Sequence, residues 1–222
     1  MNFPGGCDSL GEVPLFPLPN VVLFPRAVLP LHIFEERYKA MTEDTLAGDR
    51  RIAMALLKPG WEKNYHGKPS IEPVVCVGRI LSCEKLADGN FNFLLQGIMR
   101  ARIVSEKCGR QYRVAQLVRL EEIPAMEIDL DRQRQKLLEL FNGSARALPI
   151  AEQFRSLLNG PLPMVDIADL VAFNFLEDIS LKQELLAEID ARKRVEWIVE
   201  AMEVWGASIN PGVGFGADPE MN

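Results

Sequence analysis

Apolar and polar residues alternate with a period near two over much of the first half of this chain, and with a period near 3.6 over the second half. The first period places successive side chains on opposite faces of a strand, and the second gathers them on one stripe of a helix. Val13–Leu18 is a short apolar run interrupted by Pro14 and Pro17 and followed by Pro19. Proline cannot donate to a ladder, so this run predicts an edge strand or an irregular lead-in. Val21–Phe24 and Val28–Phe34 read as further short strands, broken by Pro25 and Pro30. Glu35–Leu46 switches to helical spacing, with two acidic residues in its first turn and Gly48 as a stop. Arg51–Leu57 predicts a buried strand, followed by a long loop over 58–73. Val74–Leu86 and Phe91–Val104 are long strands joined at Ala87-Asp88-Gly89-Asn90, where Asp-Gly supplies the positive φ of a hairpin turn. Gly78 marks a bulge or bend. Gln111–Leu120 closes the meander, and long twisted strands with short lead-ins predict a small, partly closed barrel.

After Pro124 the helical pattern takes over. Helices are predicted over Leu130–Leu140, Ile150–Leu158 and Met164–Phe175, the last nearly all apolar and so central. Ser180 with Gln183 reads as a capping box opening Leu181–Ile189, and Asp190 caps Ala191–Val204. The chain thus divides into a β unit over 1–122, a helical subdomain over 123–205 and a tail over 206–222 that is expected to be flexible.

Charge sharpens this division. The 222 residues carry a net charge of -6, yet 1–122 hold 16 Lys+Arg against 14 Asp+Glu, and 123–222 hold 9 against 17. An acidic chain is a poor match for the phosphate backbone of nucleic acid or for anionic lipid. No apolar run approaches the roughly 20 residues of a spanning helix, and the N-terminus lacks the pattern of a secretory signal, so a cytoplasmic location without membrane contact is expected. Four cysteines without C-x-x-C spacing and only two histidines give no zinc pattern, and the cysteines read as buried small hydrophobes.

Catalytic motifs fare no better. Gly60–Lys68 has six residues between its glycines, where a phosphate loop has four, and Pro69 stands where a magnesium-binding hydroxyl would be needed. There is no G-x-S-x-G run, and His32 and His66 have no sequence-level partner that would make either a base. Arg100, Arg102, Arg110, Arg113 and Arg119 cluster in the strand region, but interleaved glutamates favour a solvated strand face over an RNA site. The 58–73 loop exceeds ordinary hairpin length and carries Trp61 and Tyr65, amphipathic rings of the kind found at interfaces. They either pin the loop to the barrel or form a protein-contacting lip.

Two motifs carry a family resemblance. Pro14-Leu15-Phe16-Pro17-Leu18-Pro19-Asn20-Val21-Val22-Leu23-Phe24-Pro25, continued by Leu29-Pro30-Leu31-His32-Ile33-Phe34-Glu35-Glu36-Arg37-Tyr38, resembles the opening of the Lon protease N-terminal domain. Gly78-Arg79-Ile80 followed by Asp88–Ile103 resembles that family's hairpin, with Asn90 where arginine is common. The likeness runs over roughly 10–204. It implies an α+β fold, a PUA-like β pseudo-barrel followed by a C-terminal α-helical bundle. It further implies a stand-alone, non-catalytic polypeptide-recognition module, since 222 residues hold no Walker motif and have no room for Lon's ATPase and protease modules. The implied partner is an unfolded or degron-bearing polypeptide, with a protease or chaperone as a further partner and a homo-oligomer open. No cofactor is implied. PUA-like folds also bind RNA, which stands as the alternative. An extended peptide could add to an open sheet edge, and Trp61, Tyr65, Phe34 and Met99 are the expected contacts.

Overall fold

The computed structural model describes residues 8–64 and 67–209. Six strands and one helix come first: β1 Ser9–Leu18, β2 Val28–Ile33, α1 Glu36–Ala47, β3 Arg51–Leu56, β4 Val74–Lys85, β5 Phe91–Lys107 and β6 Arg113–Arg119. Five helices follow: α2 Asp131–Asn142, α3 Ala151–Asn159, α4 Met164–Phe175, α5 Ile179–Ala187 and α6 Ala191–Ile209. This is the expected α+β arrangement.

The 17-residue β5 organises the sheet. Its first part, Phe91–Gln96, pairs with β2, and its last part, Ala101–Lys107, pairs with β6, while β4 runs along its other side. β3 pairs with β4, and β1 lies between β3 (parallel) and β6 (antiparallel). Pairing therefore runs as a circuit through β5, β4, β3, β1 and β6, with β2 as a branch. Alternation sends one face of each strand inward, where Val13, Leu15, Ala53, Ala55, Val75, Val77, Ala101, Ala115 and Leu117 form a small core. Four of these nine are alanines, because the interior of so few strands is narrow. The opposite face carries larger side chains such as Phe16, Met54 and Leu95 into a second core shared with the helices. There, Phe141, Phe154 and Phe175 have ring centroids 5.0–5.3 Å apart, the spacing of favourable tilted and offset pairs.

The register shift between Val77 and Gly78 is the bulge that glycine foretold, and Gly89 holds its turn at φ 83°. Other local readings change. Val21–Phe24 is not a strand: Val22, Leu23 and Phe24 are buried while their backbone crosses β5. The Arg26 amide donates to Gly97 O at 2.8 Å, and the Gly97 amide donates to Ala27 O at 2.9 Å. A Cβ on Gly97 would stand 2.0 Å from Phe24 O, so only glycine permits the crossing. Helix α5 is capped by Asp178, whose Oδ1 accepts from the Ser180 and Leu181 amides, rather than by Ser180. Gln183 is instead buried and donates to Val74 O, joining helix to sheet. Helix α6 continues through Ile209, past the boundary drawn at 205, and the rest of the expected tail lies outside the described residues.

A charged cluster also joins sheet to helices. Arg100, read from sequence as part of a solvated face, is buried because its guanidinium passes between β5 and α4. It donates to both oxygens of Asp169 at 2.7 and 2.9 Å, and its Nε donates to Leu186 O at 3.1 Å. Burial opposes the charge, but Asp169 and Glu122 outweigh it and hold the guanidinium pKa above its ordinary value. Arg194, also buried, donates to Glu122 at 2.6 Å and to Glu188 O at 2.8 Å. A short parallel bridge between Ile123 and Asp190 runs beside it.

Candidate functional site

Among the described residues, strand β2 is an edge of the sheet and pairs only with β5. The Gly97 amide bond to Ala27 O fixes the phase of this antiparallel ladder. Leu29, Leu31 and Ile33 therefore bond toward β5, while Val28, Pro30 and His32 turn their backbone groups away from it. Pro30 sits at the centre of that outer row and removes its donor, leaving the amides of Val28 and His32 and three carbonyls. A proline in an edge strand blunts unwanted pairing without abolishing it.

The side chains of the same residues face outward across the sheet. Leu29 and Leu31 pack toward the large core, whereas Pro30, His32, Asn92, Leu94, Ser82 and Glu84 border a shallow hollow of about 620 Å³. His32 Nδ1 and Asn92 Oδ1 are 2.7 Å apart, and the His32 ring stacks on Phe34 at 6.1 Å. Large apolar side chains remain in water here: Phe34 is 64% exposed, Leu81 47% and Leu94 40%. Leu81 is turned outward by the register shift between Ile80 and Ser82. A row of exposed apolar groups beside unpaired backbone donors and acceptors has the form that an extended chain can complete.

A second hollow, about 540 Å³, lies between the β3–β4 region and α5, lined by Pro19, Leu57, Pro59, Trp61, Val74 and Ile179 among others. Trp61 stands in a single 3-10 turn and is half-buried along this groove.

Of the four expected contacts, the three within the described residues are not brought together. Phe34 belongs to the β2 side, Trp61 to the groove beside α5, and half-buried Met99 packs against the small barrel core. Tyr65 lies outside the described residues. Reasoning from sequence missed Leu94, Leu81 and Val28. For Leu94 the signal was the run Phe93-Leu94-Leu95, three consecutive apolar residues that a strand with one face in water does not bury together.

The thiols near the sheet are held in their protonated form. Burial pushes the Cys76 thiol up to about 12, and burial also raises Cys83 beneath the β2 hollow. Cys108, contrary to the expectation that the cysteines are buried, is exposed. Of the clustered arginines, Arg100 is buried against Asp169 and Arg113 is held by Glu106 at 2.6 Å, while Arg102, Arg110 and Arg119 are exposed. Among the described residues, no helix is long and apolar enough to cross a membrane.

Comparison with known proteins places this architecture. The family model of the ATP-dependent protease La (LON) substrate-binding domain matches residues 12–204. Lon protease of Dictyoglomus thermophilum is 28% identical over 188 residues, covering 83% of this chain and 23% of the relative. Lon protease 2 of Myxococcus xanthus is 26% identical over 198 residues, covering 86% and 23%. The chain thus spans about a quarter of the length of these curated relatives. Among solved structures, the N-terminal domain of Mycobacterium avium complex Lon protease superposes with a TM-score of 0.68 at 16% identity, covering 86% of this chain and 98% of that one. A Lon N-terminal domain protein from Xanthomonas campestris gives 0.64 at 22% identity with the same coverage.

Proposed function

The chain belongs to the Lon protease substrate-binding domain family, and from that premise we propose that it recognises extended polypeptide at the open edge of β2, without cleaving it. The observation that carries this reading is the pairing of outward backbone groups on Val28, Pro30 and His32 with exposed Phe34, Leu81 and Leu94. Main-chain hydrogen bonds would be indifferent to sequence, and the apolar face would favour segments that a folded protein hides. Such a binder selects unfolded or degron-bearing chains by exposure rather than by a motif. Trp61, in the groove beside α5, is a second contact on this reading. On this reading the captured chain would be handed to a protease or chaperone, and the bound segment would stay intact.

The test is fluorescence anisotropy with a labelled, permanently unfolded carboxymethylated protein. Phe34→Asp combined with Leu94→Asp should weaken binding about tenfold or more, as losing central apolar contacts does. The thermal midpoint should stay near that of the parent. Equal affinity in parent and variant would remove the β2 edge from consideration.

A further inference from the structure

A third concavity carries different chemistry. A cleft of about 540 Å³ opens between the ends of β1 and β3, the start of α1 and the β5–β6 turn. Its floor is apolar, built from Leu18, Pro19, Leu57 and the Tyr38 ring, which packs on Phe16 with centroids 4.5 Å apart. Five cations line it: Arg37, Lys68, Lys107, Arg110 and Arg113. Three are answered by carboxylates. Arg37 meets Glu35 at 2.9 Å, Arg113 meets Glu106 at 2.6 Å, and Arg110 meets Asp44. The Tyr112 hydroxyl donates to the same Asp44 oxygen at 2.6 Å and accepts from Arg110 at 3.0 Å, so this wall is fixed in place. Arg113 also donates to Pro69 O at 2.7 Å, tying the long loop to it.

The remaining two have no close carboxylate. Among the described residues, Lys68 and Lys107 form no ion pair, and the Lys68 ammonium's hydrogen-bond contact is the Cys108 sulfur at 3.8 Å. Two ammonium groups without a close carboxylate therefore stand over an apolar floor, Lys68 acting on Glu106 only at longer range, on a chain whose net charge is -6. Glu35 is the one carboxylate in the lining, so cations are in excess there and concentrate ligands of the opposite sign.

We propose that this cleft binds an acidic polypeptide segment, with carboxylates on Lys68 and Lys107 and an apolar side chain on the floor beside Leu18 and Leu57. The proposal rests on the reading that the chain binds polypeptide, but it uses a surface apart from β2. The lining favours a peptide over a nucleic acid. Single-stranded nucleic acid needs open aromatic faces for its bases. The Tyr38 ring is covered by Arg37 at 4.6 Å and the Tyr112 ring by Arg110 at 5.7 Å. Proline and leucine supply most of the remaining floor.

Anisotropy titrations test this with two fluorescein-labelled peptides of Glu, Ser and Leu, one with every Glu replaced by Gln. The acidic peptide should bind the parent more tightly than its neutral twin, and increasingly so as salt is lowered. Lys68→Glu combined with Lys107→Glu should weaken the acidic peptide about tenfold and leave the neutral one unchanged. Phe34→Asp with Leu94→Asp should lower the affinity of both peptides alike and leave the preference for the acidic one intact, which separates failure of this site from failure of the β2 edge. Equal binding of the two peptides, or indifference of acidic-peptide binding to the double lysine reversal, would overturn the proposal. So would a short single-stranded RNA that displaces the acidic peptide and binds more tightly through the same lysines.

Discussion

At the junction of sheet and helices, two guanidinium groups and a carboxylate lie inside the protein. On the β2 face, Phe34, Leu81 and Leu94 lie outside it. Each region inverts the ordinary rule that charge is solvated and apolar surface is hidden. They differ in whether the inversion is answered. Arg100 and Arg194 find Asp169, Glu122 and two backbone carbonyls, with the Arg194 Nε 3.4 Å from Asp169 but without a hydrogen bond, so their misplacement largely closes on itself and fixes the helices against β5. The β2 face has no such answer among the described residues. A satisfied inversion acts as structure, and an unsatisfied one is where a partner has something to supply.

Removing the answer at the junction should produce the largest effect. Asp169→Ala leaves Arg100 without its bidentate partner in a buried place. Stability should fall by about 3–5 kcal/mol, read by urea denaturation. Replacing Arg100 and Asp169 together by Met and Leu should recover most of that loss, because no uncompensated charge remains. If the single variant is as stable as the parent, the junction is no clamp and the comparison collapses. Next comes Gly97→Ala, which drives a methyl into the Phe24 carbonyl where β5 is crossed. A loss of about 1–3 kcal/mol is expected in the same assay. On the other side of the comparison, Leu81→Ser and Phe34→Ser should each change stability by no more than about 0.5 kcal/mol while lowering unfolded-polypeptide affinity severalfold. A large stability loss there would mean that the face is covered in solution by something the protein itself provides.

The smallest effect expected is at the Tyr112 hydroxyl. Burial, followed by its bond to Asp44, raises the phenol to about 12, whereas an unfolded tyrosine titrates near about 10. The group is favoured folded in its neutral form. Its contribution is therefore complete below about pH 10 and is lost as pH rises through about 12. Tyr112→Phe should cost about 1 kcal/mol or less near neutrality and should flatten the alkaline fall in stability, measured by thermal melts across that range.

Much of the fold was legible. The Met164–Phe175 helix, the Asp88-Gly89 turn and the Gly78 bulge each rest on local rules that neighbours did not override. What escaped depended on distant chain. Val21–Phe24 has the composition of a strand but is spent on crossing Gly97, and nothing within four residues announces that. Arg100 reads as a surface residue until Asp169, 69 positions later, is placed against it. The candidate sites were hidden for the same reason. Phe34 is conspicuous alone, but Leu94 and Leu81 join it only through strand register, and the cationic cleft gathers residues from Leu18 to Arg113.

The circuit of strands also dictates an order of events during synthesis. β1 is the first strand made, yet both of its neighbours, β3 and β6, come later, and β6 ends at Arg119. Until Arg119 has left the ribosome, the alanine-lined interior stays open and β1 carries one bare edge. A nascent chain halted before β6 should therefore remain a substrate for limited proteolysis and for holding chaperones, and release past that point should confer protection in one step.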